Sequence, residues 1–144
     1  MNNPKIDQLT SLFFGTSRLI RARMKPTKKT DPSTFLRIGT LHYISESKRP
    51  TMQKISKFLS ITPPSVTSLI NGLINSGMIT RVPDTRDRRM IRIEISPKGR
   101  KFLEKTHKEM TERMSQVLEK LDPKDIDDLV RIMKKLQKAY EKNS

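Results

Sequence analysis

From Ile6 to Met24 the apolar residues Leu9, Leu12, Phe13, Leu19, Ile20 and Met24 recur at the spacing of one helix face, and Pro26 closes the run. Lys25 to Thr30 reads as a basic loop. Asp31 then offers a helix N-cap, and Pro32 follows at the first helical position, where a missing N–H costs nothing. The helix it opens is expected to reach about Ser47. Its apolar residues Phe35, Ile38, Leu41 and Ile44, joined by Leu36 and Tyr43, cover more than one face, which marks a central, buried helix.

Beyond Lys48-Arg49-Pro50 the pattern predicts a short helix over Thr51 to Leu59, a tight turn at Ser60-Ile61-Thr62, and a second helix over Pro63 to Ser76. In that second helix Val66, Leu69, Ile70, Leu73 and Ile74 form one stripe, and Gly77 stands where a left-handed cap residue belongs. The opposite face carries Ser65, Thr67 or Ser68, Asn71 and Asn75, all small hydrogen-bonding residues. Met78 to Val82 and Met90 to Ile95 then read as strands, the latter alternating Ile91, Ile93 and Ile95 with Arg92 and Glu94. The residues between them, Pro83-Asp84-Thr85-Arg86-Asp87-Arg88-Arg89, give the hairpin a basic tip.

Ser96-Pro97 repeats the capping device and opens a long helix through Phe102, Leu103, Met110, Met114, Val117 and Leu118. Asp122-Pro123 does so again, before a last helix over Lys124 to Tyr140 with Ile126, Leu129, Val130, Met133, Leu136 and Tyr140 on one stripe. The expected fold class is therefore mainly α with one small β-hairpin, and neither an internal repeat nor a low-complexity linker interrupts it.

Composition narrows the picture. With 144 residues the chain suits a single compact unit, and its 33% hydrophobic against 31% charged content is lean enough to suggest that a partner subunit covers part of its apolar surface. The absence of cysteine removes disulfides, thiolate metal sites and thiol redox sensing. Met1 to Gln8 is polar and no apolar stretch is long enough to span a bilayer, so the expectation is a cytoplasmic protein with no membrane partner. The formal charge of +15 points to a polyanionic partner. It is unevenly placed: residues 1 to 47 carry 8 basic and 3 acidic groups, residues 48 to 101 carry 12 and 3, and residues 102 to 144 carry 10 and 9. The helix-turn-helix and hairpin thus occupy the electropositive part.

A helix, a turn, a second helix and a hairpin make a winged helix, whose second helix enters the major groove of DNA while the wing reaches the minor groove. Over nearly its whole length the sequence resembles the MarR (multiple antibiotic resistance regulator) family. The likeness rests on Ile61-Thr62 at the turn, Val66-Thr67 and Leu69-Ile70 along the recognition helix, Leu73 before Gly77-Met78-Ile79, and Arg81. It is closest at the wing, Asp84-Thr85-Arg86-Asp87-Arg88-Arg89, followed by Ile93-Glu94-Ile95-Ser96-Pro97-Lys98-Gly99. The resemblance implies a homodimer held by residues 1–31 and 97–144, with residues 32–96 as the DNA-binding region, the recognition helix at about 63–76 and the wing at about 78–95. It implies a repressor of a palindromic operator in double-stranded DNA, with Asp87 holding Arg89 by a salt bridge for the minor groove and Arg88 or Arg86 on nearby phosphates. A narrow minor groove concentrates negative potential, and a planar, weakly hydrated guanidinium suits it better than an ammonium.

The residues expected to face DNA are Thr62, Ser65, Thr67, Ser68, Asn71, Arg81, Arg86, Asp87, Arg88 and Arg89, with Thr62 first of all a helix cap. The resemblance further implies a small-molecule effector in a cleft, for which Phe13, Phe14, Arg18, Phe35, His42 and Tyr43 are candidates; the competing reading makes these aromatics core residues. From Phe58 to Thr80 no residue is charged, so the recognition helix lacks the arginine that most often pairs with guanine. Affinity is accordingly expected from phosphate contacts of the wing, Arg81, Lys54, Lys57 and the Lys48-Arg49 pair. No enzymatic activity, cofactor or metal is expected: His42 and His107 are far apart, and no phosphate loop, nucleophile motif or ligand cluster accompanies them. The alternative function is a winged-helix module for non-specific nucleic-acid binding or protein docking.

Overall fold

A computed structural model describes residues 3–23 and 34–142. Met24, the loop expected at Lys25 to Thr30 and the Asp31-Pro32 cap lie outside the described residues. The elements run α1 (Pro4–Arg23), α2 (Thr34–Ser47), α3 (Met52–Leu59), α4 (Pro63–Asn75), β1 (Ile79–Pro83), β2 (Ile91–Ile95), α5 (Pro97–Leu118) and α6 (Pro123–Lys142). The architecture is the expected one, mainly helical with a two-stranded antiparallel hairpin that pairs Ile79 with Ile95 and Pro83 with Ile91.

The expectation of a single compact unit fails. The chain divides into Met1–Met24 with Glu109–Ser144, and Lys25–Lys108. The reason is where apolar surface is buried. In the second unit Leu41 and Ile44 of α2, Ile55 of α3, Val66, Ile70 and Leu73 of α4, and Ile79, Ile93 and Ile95 of the hairpin close one core. In the first unit neither α1 nor α6 has a buried residue. α5 runs unbroken across the division, which is why no linker composition announces it.

Local chemistry sets the second unit's corners. Thr51 caps α3, its hydroxyl accepting from the Lys54 amide at 3.3 Å, and Ser60 ends that helix in the left-handed conformation at φ 51°. Gly77 follows α4 at φ +74°, a conformation that favours glycine, and the Met78 amide donates to the Leu73 carbonyl at 2.9 Å. Ser96 caps α5 by accepting from the Gly99 amide at 3.0 Å. A β-carbon on Gly99 would meet the Met78 carbonyl oxygen at 2.2 Å, so only glycine lets α5 approach the start of the hairpin this closely. One pairing has no counterpart in the sequence pattern: Thr51 bridges Arg92, and the Ile93 amide donates to the Pro50 carbonyl at 2.9 Å. The strand behind the wing is thereby tied to the residues that open α3.

Candidate nucleic-acid interface

The turn between α3 and α4 places Thr62 at the N-cap of α4, but its side chain does not cap the backbone as expected. Pro63 and Pro64 occupy the first helical positions and have no N–H to offer, and the Thr62 hydroxyl instead shares a hydrogen bond of 2.8 Å with that of Ser65. Val66, Ile70 and Leu73 turn inward, while Ser65, Thr67, Ser68, Asn71 and Asn75 are exposed. Thr67 returns its hydroxyl to the Pro63 carbonyl at 3.1 Å. Asn71 has a partner from outside the helix: Arg81 Nη2 on β1 donates to Asn71 Oδ1 at 2.8 Å. The exposed face of α4 and the outward side of β1 are therefore joined into one polar surface.

The wing tip is built from two aspartates that turn back on their own chain. Asp84 Oδ1 accepts from the Arg86 amide at 3.1 Å, and Asp87 Oδ1 accepts from the Arg89 amide at 3.1 Å, the local turns that aspartate side chains favour. Asp87 Oδ1 also meets Arg89 Nε at 3.2 Å, although the Arg89 side chain remains 92% exposed. The carboxylate fixes the root of the guanidinium and leaves its fork in solvent. Arg86 and Arg88 are exposed beside it.

At the wing base Arg92 makes contacts that its place as an outward residue of a strand did not announce. Its Nη2 lies 3.2 Å from Asp84 Oδ2, and its Nη1 donates to the Arg49 carbonyl at 2.9 Å. Arg49 in turn reaches Glu94 at 3.2 Å. The Asp84 carboxyl is held below its ordinary 3.8, chiefly by the Arg86 amide; desolvation opposes this, and the hydrogen bond and charge of Arg92 and the charge of Arg86 reinforce it. Asp84 thus stays ionised while its side chain is only 11% exposed.

The effector candidates do not form one set within either unit. Phe13 and Arg18 belong to the first, where Phe13 and Phe14 are exposed and meet edge to face at 6.3 Å; Phe35, His42 and Tyr43 belong to the second. Tyr43 lies flat against Phe58, ring centroids 4.1 Å apart, and His42 is exposed 3.6 Å from Glu46. A cavity of about 280 Å³ in the first unit is walled by Leu19, Ile20, Met114 and Val117, with Arg23 and Lys120 among its lining, and includes none of those candidates. Among the described residues no helix is long and apolar enough to cross a membrane.

Compared with known proteins, residues 37–91 match the MarR family. Two relatives are uncharacterized HTH-type transcriptional regulators of Bacillus subtilis (strain 168). YkoM is 27% identical over 105 residues, 73% of this chain and 66% of that protein. YpoP is 26% identical over 98 residues, 68% of this chain and 70% of that protein. The chain therefore spans about two thirds of the length of these relatives. Among solved structures, a MarR family protein from Bacillus stearothermophilus superposes with a TM-score of 0.84 at 20% identity, covering 98% of this chain and 99% of that one. The multiple antibiotic resistance repressor MarR gives 0.73 at 18% identity, covering 94% and 96%. Streptococcus pneumoniae FabT, solved in complex with DNA, gives 0.70 at 22% identity, covering 96% of each chain. At these identities the solved structures speak to the fold.

Proposed function

From the premise that residues 37–91 are a MarR-family domain, we propose that this transcriptional regulator is a homodimeric repressor that reads a palindromic site in duplex DNA. The observation that carries the proposal is the wing: Asp87 pins Arg89 at its Nε while the guanidinium fork stays in solvent, beside a helix whose exposed face is polar and uncharged. Such a tip presents a preoriented cation to a minor groove, with Arg86 and Arg88 placed for phosphates. Thr62, Ser65, Thr67, Ser68, Asn71 and Arg81 form the surface for the major groove. That FabT was solved in complex with DNA on the same fold supports this reading.

The dimer is supported by the first unit. Leu9, Leu12, Phe13, Phe14 and Leu19 of α1 and Leu129, Val130, Ile132, Met133 and Leu136 of α6 are all exposed. Two helices that each present an apolar stripe and bury nothing need a partner, and a second copy brings the same stripes in complementary register. A two-fold dimer also supplies paired winged helices, which match an inverted repeat with half-sites about one duplex turn, ~34 Å, apart. Residues 1–31 and 97–144 are the dimerisation region in this reading, and residues 32–96 the DNA-binding region. The protein works in the cytoplasm, in contact with the chromosome. A small effector would release DNA by favouring the dimer geometry that does not fit the operator.

The test is selection of bound duplexes from a random library at two salt concentrations, with RNA as competitor. An inverted repeat recovered at both salts is the expected result. Binding that enriches no sequence and collapses with salt would instead identify a non-specific nucleic-acid module.

A further inference from the structure

The recognition helix lacks a basic residue, and the hydrogen bond from Arg81 to Asn71 shows how the fold supplies one from outside. We infer that Asn71 and Arg81 act as one donor-only reader that selects guanine in the major groove. The inference rests on the DNA-binding reading above and deepens it at a single base.

The argument turns on what each side chain can offer. A guanidinium has donors and no acceptor, so the Asn71 atom it meets at 2.8 Å must be the carbonyl oxygen. The usual ambiguity between the two ends of an amide is thereby removed by the partner. With Oδ1 turned to Arg81 and beside its positive charge, Asn71 presents its NH₂ group to a ligand. Asparagine reads adenine by accepting from N6 and donating to N7 together, and an adenine amino group here would compete with Arg81 for Oδ1. Guanine presents two acceptors, N7 and O6, on its major-groove edge. The donors left on Arg81 and the amide of Asn71 match that edge and repel the exocyclic amino groups of adenine and cytosine.

Both residues are exposed, and each stands on an element fixed by buried residues: Ile70 precedes Asn71 on α4, and Arg81 lies opposite Ile93 in the hairpin register. Charge alone assigns Arg81 to a phosphate. The hydrogen bond instead holds it against the helix face, where bases are read.

The experiment is the same duplex selection run in parallel on the wild-type protein, Arg81→Ala, Arg81→Lys and Asn71→Ala. The wild type is expected to enrich a guanine in each half-site that Arg81→Ala relaxes by about tenfold, with the other positions unchanged. Arg81→Lys keeps the charge but not the fork, and is expected to relax the same position while retaining the salt dependence. Asn71→Ala should relax that position too, and combining it with Arg81→Ala should cost less than the sum of the two, as for residues that act as a unit. Replacing that guanine by 7-deazaguanine should weaken the wild type and leave Arg81→Ala unaffected. If Arg81→Ala instead weakens all sequences alike and lowers the salt slope by about one, Arg81 is a phosphate contact and the inference fails while the regulator reading stands. If the wild type enriches no sequence, both fall together.

Discussion

The two units of this chain use apolar residues in opposite ways. In the winged helix Leu41, Ile55, Ile70 and Ile93 are fully enclosed within one polypeptide. In α1 and α6 residues of the same types, at the same helical periodicity, stand in solvent. Periodicity therefore reports that a face is meant to be covered but not by which chain. Stability of the first unit should depend on protein concentration, and that of the second should not.

The sharpest way to break this contrast is Leu129→Asp combined with Leu136→Asp in α6. Light scattering should show a dimer becoming a monomer, and duplex affinity should fall by about a hundredfold or more as two linked lobes become one. A variant that remains dimeric would place the interface elsewhere.

Next in size is Ile70→Ala in the winged-helix core. Urea unfolding should show a loss of about 2–5 kcal/mol, the range for removing a large buried aliphatic group, and the loss should be the same at every protein concentration. A concentration-dependent loss would mean that the winged helix does not stand on its own core.

Arg89→Ala tests the wing against the last helix. Fluorescence anisotropy with an operator duplex should show binding weakened by about tenfold, within the range expected when a groove contact is lost. Lys138→Ala, on the mixed-charge α6, should leave binding unchanged, and equal losses would refute the assignment of the wing.

The smallest effect concerns Asp84. Because its carboxyl is held below 3.8 in the folded state, its contribution is complete at neutral pH and drains away only as pH falls through that lowered value. Acid titration of the wing resonances should show their transition at lower pH in the wild type than in Arg92→Met, which lacks one of the groups that depress it. Coincident transitions would mean that the Arg86 amide alone sets the Asp84 value.

Much of this was legible in the residues. Capping pairs such as Ser96-Pro97, the stripe of α4 and the glycine after it are local signals, and local signals placed each described element to within a few residues. What escaped detection depends on partners distant in sequence. The Thr51 to Arg92 bridge is a single pairing and leaves no alternation to read. The sequence left Tyr43 open between a cleft and the core, because nothing in its own helix foretells its stacking on Phe58. Thr62 stands at the N-cap as its residue type predicts, but its side chain caps no amide, because Pro63 and Pro64 leave no N–H at the first two helical positions and the hydroxyl pairs with that of Ser65. Arg81 was legible as a charge but not as the partner of Asn71, since hydrogen bonds between elements follow from packing.

The uncharged run from Phe58 to Thr80 has a kinetic consequence. Long-range attraction to a duplex comes from net charge, which here lies outside α4, on the wing and on the helices around it, so in the proposed reading the rate of encounter is set there. Neutral hydroxyls and amides act only at contact and govern how long the protein stays. If the proposed interface holds, substitutions among Ser65, Thr67 and Ser68 exchange one target for another by altering residence time and leave the speed of the search for it unchanged.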